Sequence, residues 1–377
     1  MEFAMKIGVP KEIKNHEYRV GLTPMAVVEL SHRGHQVAIQ TMAGDSIGFS
    51  DAQYREAGAQ IIDSAADLFA WAEMIVKVKE PLAAERALLT PNHTLFTYLH
   101  LAPDTAQTQD LIKSGAVCIA YETVTNALGQ LPLLAPMSEV AGRMSIQAGA
   151  HSLEKAQGGM GLLLGGVPGV EPATVVVIGA GVVGQNAVAM AVGTGADIVV
   201  LDKSLETLRL LDKQYGNRIK TVYSSKDSLE RHVLSADLVI GAVLVPGAAA
   251  PKLVTRDLIS RMKKGAVVVD VAIDQGGCFE TSKATTHAEP TYVVDGVVHY
   301  CVANMPGAVA RTSTMALTNA TLPFVLALAN KGAKQAMLDD AHLLNGLNVC
   351  RGQVTYKSVA VDQGLAFVEP RLAVAQL

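Results

Sequence analysis

Apolar residues along the chain fall in short blocks separated by polar and glycine-rich punctuation. Residues 5–10 (Met-Lys-Ile-Gly-Val-Pro) predict an opening strand. After a polar stretch over 11–19, Thr23-Pro24 has the form of a helix N-cap followed by proline at the first helical position. The helix predicted over 25–32 stops at Gly34. A second strand is predicted at 36–40, a helix near 51–57, strands at 74–78 and 94–99, a helix near 104–114 and a strand at 116–120. Strands alternating with helices imply a parallel α/β sheet.

The character changes over 133–157, a long helical stretch of small residues, and again over the glycine-rich connector 158–169, which carries no assigned chemistry. A second strand–helix series opens at 174–178 and continues with strands at 197–201, 238–241 and 266–271. Past Asn304, a helical run of small and apolar residues over 311–330 leads into a tail. The second series is complete by residue 308, so the tail is expected to pack back on the first domain. That domain is then discontinuous, 1–132 with 309–377, around an inserted domain of 133–308.

Composition agrees with this layout. A chain of 377 residues suits two domains. Half the residues are apolar but only 5% are aromatic, so the core must be built from Val, Leu, Ile and Ala, as in buried parallel sheets. The net charge of −4, with no long basic run, argues against nucleic acid or an anionic membrane as partner. Cys118, Cys278, Cys301 and Cys350 show no metal-ligand spacing, so free thiols in a reducing cytosol, and no metal site, are expected. The start, Met1-Glu2-Phe3-Ala4-Met5, lacks the charged and apolar regions of a signal peptide and reads as an added leader before a natural start at Met5. Residues 172–196 are uncharged and long enough to span a bilayer, but five glycines with Gln185 and Asn186 fit a strand, a turn and a helix better.

That segment carries the first chemical signal. Gly179-Ala180-Gly181-Val182-Val183-Gly184 is a G-x-G-x-x-G that follows the apolar run Val175–Ile178 and opens a helix predicted over 185–193. Gly179 permits a tight turn, Gly181 lets backbone approach a pyrophosphate, and Gly184 lets helix and strand pack closely. The helix N-terminus offers unpaired N–H groups to an anion. The next strand ends in Asp202, eighteen residues beyond Gly184 and near the spacing of about 20 for a ribose-binding acid. A carboxylate there repels a 2′-phosphate, so NAD is favoured over NADP; Lys203 beside it weakens the preference. The fold expected is α/β: two Rossmann-like domains with parallel sheets, the cofactor domain inserted in a discontinuous substrate domain.

In such sheets, ligands bind beyond the carboxyl ends of the strands. The run 266–273 reads as a strand that delivers Asp274 to that edge, with Asp270 further back; the alternative is an Asp274 that caps a loop. In the first domain, Arg19 lies in a polar loop, Lys77 and Lys79 alternate with valines on one strand face, and His100 ends a strand. Each has a plainer alternative: a surface charge, a solvated lysine face, a structural histidine. Together they suit oxidation at the α-carbon of an amino acid. Arg holds a carboxylate through its two-pronged fork. A nicotinamide takes the hydride. His moves protons near neutrality, and a cation polarises the carbonyl or imine.

Several strings resemble the alanine dehydrogenase family: residues 8–12, 17–20, 76–81, 98–102, 136–143, the glycine fingerprint, 270–277 and 304–309. The resemblance runs from Met5 to about residue 373. It implies reversible, NAD-linked oxidative deamination of L-alanine to pyruvate and ammonium by a cytoplasmic enzyme. By resemblance, Arg19 holds the substrate carboxylate and Lys79, rather than Lys77, contacts the carboxylate and carbonyl region. His100 is the general acid/base, and Asp274 works with the amino group or catalytic water. Met137, Ser138, Asn304 and Met305 line the nicotinamide side, and Asp202 takes the ribose. A hexamer is the implied assembly. The nucleotide-binding component of a nicotinamide nucleotide transhydrogenase shares the N-terminal pattern and the fingerprint, and is the competing reading.

Overall fold

The computed structural model describes residues 4–243 and 250–377; most of the leader read at the N-terminus, residues 1–3, lies outside them. The chain divides into two compact units, Met1–Pro136 with Val309–Leu377, and Met137–Ala308.

The first unit contains β1 (Lys6–Val9), β2 (Gln36–Gln40), β3 (Gln60–Ile62), β4 (Met74–Val76), β5 (Thr94–Thr97) and β6 (Val117–Ala120). The second contains β7 (Thr174–Ile178), β8 (Asp197–Asp202), β9 (Lys220–Tyr223), β10 (Leu238–Gly241), β11 (Val267–Asp270), β12 (Thr291–Val294) and β13 (Val297–Tyr300). The chain returns to the first unit with β14 (Leu347–Cys350) and β15 (Gln353–Val354). The first sheet runs β15-β14-β6-β5-β4-β1-β2-β3, and the second β12-β13-β11-β10-β7-β8-β9. In each, six parallel strands have the doubly wound order of dinucleotide folds, reversing beside its first strand, β1 or β7.

Each sheet has the expected parallel core and adds antiparallel pairing at one edge, which the sequence reading did not include. β12 pairs antiparallel with β13, and β14 pairs antiparallel with both β6 and β15. Two-residue turns make this possible. Asp295-Gly296 and Arg351-Gly352 all have positive φ (49° and 79°; 49° and 83°), the geometry of the tight hairpin turn that matches strand twist. β3 and β9, also not anticipated, are edge strands. Their partly exposed residues, as in Lys220–Tyr223, lack the apolar run of a buried strand.

The central strands β4, β5, β6, β10 and β11 are buried throughout, in keeping with their largely apolar sequences. Residues 172–196 form β7, the glycine turn and the helix Val182–Thr194. The helix Ala310–Asp339 is long and apolar enough by composition to cross a membrane. Its course breaks at Gly332 (φ 72°), and it buries Ser313, Thr314, Leu317, Thr318, Thr321, Val325 and Leu328 within the first unit. A face rich in buried hydroxyls is that of a core helix packed on protein.

Candidate active site

In the first unit, Arg19, Lys79 and His100 follow the carboxyl ends of β1, β4 and β5, which are neighbours in the sheet at the point where strand order reverses. Local details differ from the sequence reading. β4 ends at Val76, so Lys77 and Lys79 do not share one exposed strand face. Lys77 is wholly buried between two carboxylates, while the Lys79 side chain is 15% exposed. β5 ends at Thr97, three residues short of His100.

Arg19 is buried, and Glu17 fixes its fork: Nε and Nη2 each donate at 2.6 Å to one carboxylate oxygen. Burial opposes the guanidinium charge, but Glu17 outweighs it and raises the pKa. The loop reaches this position because Gly21 passes tightly over β4; a Cβ there would lie 2.5 Å from the Val76 carbonyl oxygen. Arg19 acts electrostatically on the buried Tyr98, whose ring stacks on His100 at 5.7 Å between centroids. His100 holds a left-handed backbone (φ 49°). Glu122 stabilises that conformation, because one carboxylate accepts the N–H of Leu99 (3.1 Å) and of His100 (2.6 Å) while standing 4.0 Å from the imidazole Nδ1. Glu122 was not evident from the sequence. It lies 22 residues from His100 and reaches it only because β5 and β6 pair in parallel. Lys79 faces Glu80 at 3.5 Å.

In the second unit, the fingerprint glycines each meet a distinct constraint. Gly179 has φ 96°, closed to other residues without strain. A Cβ on Gly184 would lie 1.9 Å from the Gly179 carbonyl oxygen, so helix and turn touch backbone to backbone. A Cβ on Gly181 would meet nothing within 4 Å, which leaves open ground above the turn. Gly181 caps the helix Val182–Thr194 without a side-chain hydrogen bond. Asp202 closes β8 and accepts N–H from Ala180 at 2.6 Å and from Ser204 at 2.7 Å, so it also braces the turn. An open approach, an uncapped helix start and a strand-end carboxylate fit a dinucleotide: pyrophosphate on the helix N-terminus, ribose on Asp202.

The strand expected over 266–273 ends at Asp270, which corrects the placement of Asp274. Asp274 is exposed on a short turn, Val271–Gln275, past the strand. Asp270 makes the chain turn there. Its buried carboxylate accepts N–H from Cys278 (3.0 Å) and Phe279 (3.3 Å) and the Ser282 hydroxyl (2.5 Å). Burial raises the Asp270 pKa against these donors. Met137 and Ser138 lie in the first turn of the helix Ala135–Ser152. Asn304 is left-handed (φ 59°), and its carbonyl accepts Gly307 N–H at 2.9 Å. Met305 is buried in the core of this unit. Among the described residues, no group of three or more His, Cys, Asp or Glu is gathered as a metal site, and the four cysteines are buried and unpaired.

Comparison with known proteins agrees with this geometry. The N-terminal domain family of alanine dehydrogenase/PNT matches residues 8–141, and the C-terminal domain family of the same name matches 145–357. The chain belongs to the alanine dehydrogenase/PNT family. It is 66% identical over 365 residues to an alanine dehydrogenase of Halomonas elongata, covering 97% of this chain and 98% of that one. A solved L-alanine dehydrogenase superposes with a TM-score of 0.93 at 52% identity, over 96% of this chain and 99% of its own. A transhydrogenase from Sinorhizobium meliloti shares the fold, with a TM-score of 0.80 at 24% identity over 93% of this chain and 99% of that one. The two family matches together cover most of both units.

Proposed function

We propose that this protein catalyses the reversible, NAD-dependent oxidative deamination of L-alanine to pyruvate and ammonium. The observation that carries the reading is the cluster at the reversal point of the first sheet. There a buried, carboxylate-braced Arg19, an ammonium at Lys79 and an imidazole at His100 lie on the segments that follow the ends of three adjacent strands. The second unit supplies the dinucleotide turn, and the full-length likeness to alanine dehydrogenases names the reaction class.

NAD, when bound, accepts the hydride from the substrate α-carbon. The chain holds it through the helix N-terminus after Gly179, Gly181 and Gly184, through Asp202, and along Met137, Ser138, Asn304 and Met305. Arg19 holds the substrate carboxylate and Lys79 the adjoining carbonyl region, where negative charge grows during the return reaction. His100 moves the proton as water adds to the substrate iminium, and Asp274 assists at the amino group. The substrates are small molecules; cytoplasmic residence and a homohexamer complete the reading.

The test is NADH absorbance after mixing protein, NAD and L-alanine at alkaline pH, with D-alanine, L-lysine and NADP in parallel. A signal confined to L-alanine with NAD is expected. Silence with alanine, together with reduction of a nicotinamide-nucleotide analogue by NADH, would replace the proposal with the transhydrogenase activity. His100→Ala should lower kcat by about 10²–10⁴-fold without changing NADH affinity; near-normal turnover would remove His100 from the chemistry.

A further inference from the structure

Lys77 has no part in the reaction as described, yet it is among the largest fully buried side chains of the molecule. Its Nζ donates to Glu12 at 3.0 Å and to Glu85 at 2.7 Å. Burial opposes its charge, but the two carboxylates outweigh that and raise its pKa. Each carboxylate uses its other oxygen on main chain. Glu12 accepts N–H from Val78 at 2.8 Å and Lys79 at 3.4 Å, and Glu85 accepts N–H from Leu82 at 2.9 Å. Past the last residue of β4 the main chain is still bonded to the neighbouring strand, through Lys77 N–H to the Phe96 carbonyl (3.2 Å) and Tyr98 N–H to the Val78 carbonyl (3.3 Å), and the Glu12 carboxylate adds a hold on the N–H groups of Val78 and Lys79. Lys77 ties the two acceptors together. Glu12 lies just past β1, in the loop that continues to Glu17 and Arg19, and it is coupled electrostatically to Glu17.

Three buried charges are a poor means of stabilising a core. Desolvation costs much of what their attraction returns, and neutral groups of similar size often serve as well. What the ions add is direction: a carboxylate locked by an ammonium offers its free oxygen at one place only. We propose that Glu12, Lys77 and Glu85 are positioning residues for substrate-carboxylate recognition, fixing the backbone at Val78 and Lys79 so that the Lys79 ammonium is aimed. The inference rests on the reading of Lys79 as a substrate ligand. It predicts a defect in the handling of pyruvate and alanine, with the dinucleotide untouched.

The test replaces all three charges by groups of similar size, in the variant E12Q/K77M/E85Q. Melting temperature, NADH affinity by fluorescence, kcat and the KM for pyruvate are measured on the full chain, with and without K79A. A folded triple variant with unchanged NADH affinity and a KM for pyruvate raised roughly tenfold or more is expected, since displacement of a binding group by about an ångström has effects of this size. K79A should then add less in the triple variant than in the parent. An unchanged KM in the folded triple variant overturns the proposal and leaves the ions a role in folding alone. Should the triple variant not fold, E12D decides. It keeps every charge but withdraws the carboxylate from the two amides: a raised KM supports the proposal and a parental KM overturns it. If K79A by itself leaves the KM for pyruvate unchanged, the fault lies in the Lys79 reading.

Discussion

At the residue scale, the first unit's candidate site is a set of groups held by carboxylates. Arg19 has Glu17, Lys79 has Glu80, and the backbone at His100 has Glu122. Removing the Glu122 acceptor leaves the N–H groups of Leu99 and His100 unpaired at a left-handed turn, a loss of about 1–3 kcal/mol. Glu122→Ala is therefore expected to lower kcat/KM for pyruvate at least tenfold with NADH affinity unchanged, as steady-state kinetics and fluorescence titration would show. Glu80 carries a pH dependence. Burial would raise its pKa, but Lys79 and Lys14 outweigh burial and hold it below the ordinary 4.5. A carboxyl depressed by folding contributes stability that is present above its unfolded value and lost as pH falls through the folded one. The difference in melting temperature between the parent and Glu80→Gln should therefore be full at neutral pH and shrink below about pH 4.5. A difference that held constant into acid would mean the ion pairs contribute nothing.

At the element scale, the glycine turn separates two demands that the fingerprint merges. Gly184 is required by packing and Gly181 by open approach. Gly184→Ala is expected to lower the melting temperature and weaken NADH binding together. Gly181→Ala should leave the melting temperature near the parent's while weakening NADH binding tenfold or more, which thermal denaturation and fluorescence titration would resolve. Elements with a strong local signal were legible from sequence: the Thr23-Pro24 helix start, the strand Gln36–Gln40 and the fingerprint strand Thr174–Ile178 appear where their residues place them. Strand ends were not. Val78 and Val271–Ile273 continue an apolar pattern past the strand ends at Val76 and Asp270, where Glu12 takes the Val78 N–H and the Asp270 carboxylate takes the N–H groups of Cys278 and Phe279. A periodicity cannot register a hydrogen bond to a residue distant in sequence.

At the scale of the whole molecule, each half repeats one plan, a six-strand parallel core with its reversal beside the first strand and antiparallel strands added at one edge. The proposed assembly is a homohexamer. Sedimentation or light scattering should give six copies of the 39.6 kDa chain; a stable dimer or monomer with full activity would reject that assembly.

Sequence alone determined the α/β class and the dinucleotide turn, and it nominated the residues proposed to meet the substrate, because each depends on local pattern or on a string long enough to be specific. It named Arg19, Lys79 and His100 but not what holds them. The tertiary structure decided that Lys77 is a buried hub rather than a solvated charge, that Glu122 governs the His100 backbone, and that Asp270 bends the chain before Asp274. Each depends on where the folded chain brings a carboxylate: Glu12 and Glu122 reach their partners from 65 and 22 residues away, beyond the ends of paired strands, while Glu85 and Asp270 close local loops through side-chain hydrogen bonds that a pattern of apolar residues does not record.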